Sequence, residues 1–197
     1  MRLYPAAVLF FLLWACKSGT APTKPAPTIT DSTGTAAAME PLYPFTQYLK
    51  EQIAYVDSTP FAIEKTVYQN GKRTDSGLIT HAEFLALAAP FCQYDVNSSP
   101  LRTMYNEESF SDLSLNNITF SITSSNPSLP LRQATVLLLP ETKRVKNVIL
   151  QVNTTKGDTT IVDNMLWVHN QSFQISSTLY YGNQRQTRNT KVVWDKP

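Results

Sequence analysis

Two histidines and two cysteines are the most chemically distinctive side chains in this chain of 197 residues, and their spacing limits what they could do. His81 and His169 lie far apart, and no HExxH, CxxC or close histidine pair is present. A zinc site needs three or four N, S or O ligands and would have to be assembled from distant carboxylates, so no metal and no cofactor is assigned. There is no GxSxG nucleophile turn and no glycine-rich phosphate loop. The serine pairs Ser98-Ser99, Ser124-Ser125 and Ser176-Ser177 have no neighbouring base and read as turns and outward strand faces. Carboxylates for acid–base work would come from Glu107, Glu108, Asp112, Asp158 or Asp163. An enzymatic reading is a hydrolase of scattered residues, His169 with Asp163 or with Glu107 or Glu108. Cys92 follows Phe91 in an apolar stretch without a basic neighbour, the setting of a buried, inert thiol rather than a thiolate nucleophile. No catalytic residue is assigned.

The other cysteine closes the stretch "LFFLLWACKSG". Arg2 supplies a positive start, residues 6–14 are apolar, and Ala15 is small; the apolar core is well short of the roughly 20 residues that span a bilayer. Residues 1–15 therefore read as a secretory signal peptide. Leu13-Trp14-Ala15-Cys16 resembles the lipobox of bacterial lipoproteins, with Trp14 standing where that family prefers Ala, Ser or Thr. The resemblance implies cleavage between Ala15 and Cys16 and acyl chains on Cys16. Two or three such chains, at about 0.8 kcal/mol per buried methylene, anchor a protein stably to a membrane. In Gram-negative members an Asp after the cysteine favours the inner membrane. Lys17 stands there instead, so the resemblance implies an outer-membrane lipoprotein whose domain faces the periplasm. A lipidated Cys16 would leave Cys92 without a disulfide partner.

Residues 16–39 are rich in Thr, Ala and Pro and cannot bury enough surface to order themselves, so they read as a disordered tether. Fully extended, it would reach about 70 Å at ~3.1 Å per residue. Residues 40–197 remain as a single domain, large enough to bury its own core. The net charge of +2, from 17 basic and 15 acidic residues, lacks the electrostatic footprint of a nucleic-acid binder. The local cluster Arg185, Arg188 and Lys191 reads as a solvated strand face.

Within the domain, Phe45, Tyr48, Leu49, Ile53 and Val56 recur at helical spacing after Pro44, predicting a helix over residues 44–56. Residues 61–80 predict a hairpin turning at Asn70-Gly71, the dipeptide a type I′ turn favours. Thr80 and Glu83 match a capping box, opening a second helix over residues 81–94 that Pro90 must kink or end. From Ser109 onward the pattern is that of strands: Ile118, Phe120 and Ile122 alternate, residues 134–139 are an apolar run, and segments follow at 145–154, 159–169, 173–181 and 190–195. The expected fold is α+β, with two short helices and a β-hairpin followed by a curved antiparallel meander of five or six strands, the helices packed on one face.

Aromatic residues are the enriched feature. Trp167, Tyr181 and Trp194 fall on expected strands, where they serve either as core or as a binding wall for an apolar ligand or a partner protein. The segments "NGKRTDSGLITHAEFLALA", "SFSDLSLNNITFSI", Met165-Leu166-Trp167 through Ile175, and "KVVWD" together resemble a group of Gram-negative outer-membrane lipoproteins of unknown function, over most of residues 45–195. That group has no activity to carry over. The sequence thus leads to a membrane-anchored, periplasm-facing lipoprotein with a non-catalytic ligand- or partner-binding domain. Its partners would be the outer-membrane bilayer through Cys16 and an apolar ligand or envelope protein, with no nucleic acid. The alternatives are the hydrolase above and a structural envelope assembly factor.

Overall fold

A computed structural model of the chain describes residues 39–112, 114 and 116–195. The leader and tether expectations over residues 1–38, Ala15 and Cys16 included, lie outside the described residues.

Helix α1 (Phe45–Ser58) begins directly after Pro44 and buries Phe45, Leu49 and Val56 along one stripe. It stops at Thr59, which is extended, as expected of a residue before Pro60. The Ser58 and Thr59 hydroxyls donate to the Tyr55 carbonyl at 3.1 and 2.7 Å. Strands β1 (Glu64–Gln69) and β2 (Lys72–Leu78) then form a hairpin. Its two central residues, Asn70 and Gly71, have φ of +47° and +79°, the left-handed conformation a type I′ turn requires. Helix α2 (His81–Ala88) forms the first half of the expected box, Thr80 Oγ1 accepting the Glu83 N–H at 3.2 Å, while the Glu83 carboxylate turns instead to Lys65 Nζ at 2.6 Å. It is shorter than expected. Pro90 cannot donate to the α-helical ladder, so the chain tightens into a 3-10 turn over Ala89–Cys92 that buries Phe91.

Seven strands follow, joined in sequence order: β3 (Tyr105–Asp112), β4 (Asn117–Ser124), β5 (Leu131–Leu138), β6 (Val145–Lys156), β7 (Thr159–Val168), β8 (Ser172–Tyr181) and β9 (Gln184–Val193). The α+β expectation of a hairpin plus a five- or six-strand meander is corrected here. Among the described residues the fold is mostly β, a single open antiparallel sheet of nine strands in the order β2-β1-β9-β8-β7-β6-β5-β4-β3, with two short α-helices. Two physical causes account for the difference. β1 pairs with β9 along its whole length, from Glu64↔Val193 to Gln69↔Arg188, a contact across the domain that no local pattern announces. β3 is an edge strand whose burial barely alternates, so the period-2 signal that marks a half-buried strand is missing from it.

One face of the sheet is apolar. Val136 and Leu138 of β5, Val148, Leu150 and Val152 of β6, and Met165 and Trp167 of β7 are buried, and they form one core with Phe45, Leu49, Val56, Phe84 and Ala88 of the helices. The opposite face is mixed: Ile149 and Leu166, directly opposed and half-buried, lie among polar residues, where Gln174 Nε2 and Asn189 Nδ2 donate to Ser176 Oγ at 3.1 and 2.8 Å, and Gln133 Nε2 to Ser121 Oγ at 3.0 Å. This division is typical of antiparallel sheets with one solvated side.

Candidate functional site

Because side chains alternate across a strand, the register of β6–β9 arranges the helix-bearing face in rows. The innermost aligns Val148, Trp167, Phe173 and Val192, and the next Leu150, Met165, Ile175 and Thr190. Apart from the half-buried Ile175, these two rows are buried. The third row changes character: Val152, Asp163, Ser177, Arg188 and, through β1, Gln69. Beyond it lie Ile161 and Leu179, directly opposed, and then Tyr181.

A cleft of about 440 Å³ opens on the third row, lined by Gln69, Asp163, Ser177, Arg188, Ile161 and Leu179 among others. One side is held by the hairpin tip. Asn70 N–H donates to the Thr187 carbonyl, and Thr187 N–H to Asn70 Oδ1, both at 2.9 Å. Asp163 Oδ1 is buried without a hydrogen-bond partner. Tyr94 feels this carboxylate: burial, and then the Asp163 charge, push its hydroxyl pKa up. Arg188 is exposed. It sits two strand spacings from Asp163, about 9.5 Å by the usual 4.7–4.9 Å interval, with Ser177 between them and no ion pair joining them. The cleft thus presents a carboxylate and a guanidinium held apart, beside an apolar step.

The residues proposed for hydrolysis are not brought together. His169 follows β7, six positions from Asp163 and so about 20 Å along the strand. Its Nδ1 pairs with the Tyr48 hydroxyl at 2.8 Å rather than with a carboxylate. Burial, and secondarily Arg144, hold its pKa below the ordinary histidine value. Glu107 accepts the Tyr43 N–H at 2.6 Å, orienting the entry to α1, and Glu108 points to the other face of the edge strand. Asp112 accepts from the Ser114 N–H and hydroxyl, and Asp158 is exposed in the β6–β7 turn. His81 Nδ1 lies 3.6 Å from Asp57 at the surface. Cys92 is a free, half-buried thiol whose pKa burial raises against the opposing charge of Lys50.

The three wall residues share one face but not one place. Trp167 and Trp194 lie in the core, 0% and 4% exposed, with ring centroids 5.3 Å apart and with Phe91 and Phe173 stacked or edge-on against Trp167. Tyr181 is 57% exposed at the far end of β8, about 25 Å away along the strands. A smaller cleft of about 240 Å³, lined by Arg144, Lys146 and His169 among others, lies at the other end of the sheet. Among the described residues no group of three or more His, Cys, Asp or Glu could hold a metal ion, and no helix is long and apolar enough to cross a membrane.

Sequence reasoning passed over Ser177, Arg188 and Gln69 as site residues. A signal existed: Ser177 interrupts the apolar face of β8, Asp163 interrupts that of β7, and the two interruptions are cross-strand partners. Arg188, grouped with Arg185 and Lys191 in sequence, is separated from both by parity and turns alone to the helix-bearing face.

Fold and site together define a one-sided antiparallel sheet with a mixed-charge cleft beyond its helix-covered core. Comparisons with protein-family models, with curated proteins and with solved structures return no match.

Proposed function

We propose that this chain is a lipid-anchored envelope protein whose domain binds a ligand in the cleft above the Asp163–Ser177–Arg188 row. The anchoring part rests on the lipobox-like Leu13-Trp14-Ala15-Cys16 and the Thr/Ala/Pro-rich segment after it, which would let the domain reach its ligand clear of the membrane surface. The binding part rests on one observation: Asp163, Ser177 and Arg188 form a polar row that lines a cleft between the buried core and the apolar pair Ile161 and Leu179. Asp163 lines the cleft together with Ser177 and Arg188, and a ligand donor there would meet its carboxylate in a charge-assisted hydrogen bond. A cleft of this size falls within the range of small-molecule sites, which combine apolar walls with a few convergent polar groups.

The test is site-specific photo-crosslinking in living cells, with a photoreactive amino acid in place of Leu179 and, separately, of Tyr180. Neighbouring residues of one strand point to opposite faces, so the pair reports the face directly. An adduct at Leu179 and none at Tyr180 is the expected result. No adduct at Leu179, or equal adducts at both, would overturn the proposal.

A further inference from the structure

We infer that the ligand is a zwitterionic amphiphile, its head carrying a primary ammonium and an anionic phosphate and its apolar part lying across Ile161 and Leu179 toward Tyr181. This rests on the reading of the cleft as a binding site and names what the site would select. The Asp163 carboxylate lines the cleft, and an ammonium supplies it a charge-assisted hydrogen bond. Arg188 stands on the same row, beyond Ser177, and is exposed. Its guanidinium forks onto phosphate or carboxylate oxygens. Since the two charges are separated rather than paired, a head bearing only one charge would satisfy only one of them.

The next row outward fixes the orientation. Ile161 and Leu179 face each other across β7 and β8, and Tyr181 follows on the same side of β8. The apolar part of a ligand whose head sits on the charged row would therefore run outward over these three residues. The inward direction is closed by the core residue Met165 and by Thr190, both buried. Ser177 and Gln69 offer neutral hydrogen-bonding groups to the oxygens between the charges.

The experiment is isothermal titration of the full chain in mild detergent with three probes: dihexanoylphosphatidylethanolamine, dihexanoylphosphatidic acid, which lacks the amine, and phosphoethanolamine, which lacks the chains. The first should bind, and the other two should bind at least about tenfold more weakly, the discrimination expected when a charge-assisted hydrogen bond or the apolar contact is lost. Asp163→Asn, close to isosteric, should remove the preference for the amine-bearing lipid while leaving the phosphatidic acid affinity unchanged. Arg188→Gln should weaken all three probes. Equal binding of the first two probes, or a preference that survives Asp163→Asn, would overturn the inference, as would absence of binding by the first probe. Tight binding of phosphoethanolamine alone would also overturn it, by showing a free-headgroup site rather than an amphiphile site. Melting curves of the two variants show whether they are folded, and the opposite-face variant Asn189→Ser controls for loss unrelated to the cleft. If the Leu179 crosslink forms while the first probe fails to bind, the cleft binds a ligand of another class. If the crosslink is absent too, the cleft itself is not the binding site.

Discussion

Asp163 and Arg188 occupy one row of the sheet on either side of Ser177, opposite in charge and unpaired. For a domain selected only for stability this is an inefficient arrangement, because a buried carboxylate oxygen without a donor costs about 1–3 kcal/mol. Replacing Asp163 with Val would continue the apolar face between Ile161 and Met165. The ligand-free variant should therefore be more stable than the parent by about 1–2 kcal/mol, read as a rightward shift in urea denaturation. A variant less stable than the parent would mean that Asp163 serves the fold.

The aromatic core makes the opposite prediction. Trp167 touches Phe91, Phe173 and Trp194 at centroid distances of 5.2–5.4 Å and is fully buried. Trp167→Ala should cost about 3–5 kcal/mol, the usual range for emptying such a site, in the same denaturation experiment. A loss below about 1 kcal/mol would place this indole outside the cooperative core.

Gly71 tests the hairpin. Its φ of +79° is accessible to glycine at little cost, while an added Cβ there meets no atom within 4 Å. Gly71→Ala should then destabilise through backbone conformation alone, by about 1 kcal/mol. Because Asn70 is bonded to Thr187, the loss should also appear as faster amide exchange at the β9 end of the cleft. Unchanged exchange at Thr187 would separate the turn from the site wall.

His169 gives the domain a pH dependence of defined sign. Its folded pKa is lowered by burial first and by Arg144 second, while an unfolded imidazole titrates near 6.5. Below about pH 6.5 the unfolded state therefore binds more protons than the folded one, and stability falls as pH drops toward the lowered value. Above about 6.5 this contribution is fully present. The melting temperature should decline between pH 7.5 and 5.5, and His169→Gln should flatten that decline. An unaltered slope in the variant would assign the effect to other groups.

Anchoring is tested at Cys16. The wild-type chain should stay with membranes in high salt, and Cys16→Ser should be released from them. A serine variant retained as firmly as the parent would contradict acylation as the cause of attachment.

Local chemistry made parts of this architecture legible in the sequence. Asn70-Gly71, the Thr80–Glu83 cap and the stripe from Phe45 to Val56 each act through neighbours within a few residues, and each appears where its pattern predicts. What stayed hidden depends on distant pairing. The β1–β9 ladder joins Glu64 to Val193, and the edge position of β3 removes the alternation that would have announced it. The cleft was hidden for the same reason, because Asp163, Ser177 and Arg188 become one row only when the register of three strands is known. Trp167 and Trp194 show the converse: their type suggested either core or wall, and only the helices packed above them decide for core.

Ligand binding in the cleft is tested by native mass spectrometry of the full chain, released from the bacterial envelope in mild detergent, beside a variant in which Ser177→Trp fills the cleft. The wild type should carry a non-covalent adduct that is lost on denaturation and absent from the variant. A wild-type spectrum without adduct, or an adduct of equal abundance on Ser177→Trp, would contradict it.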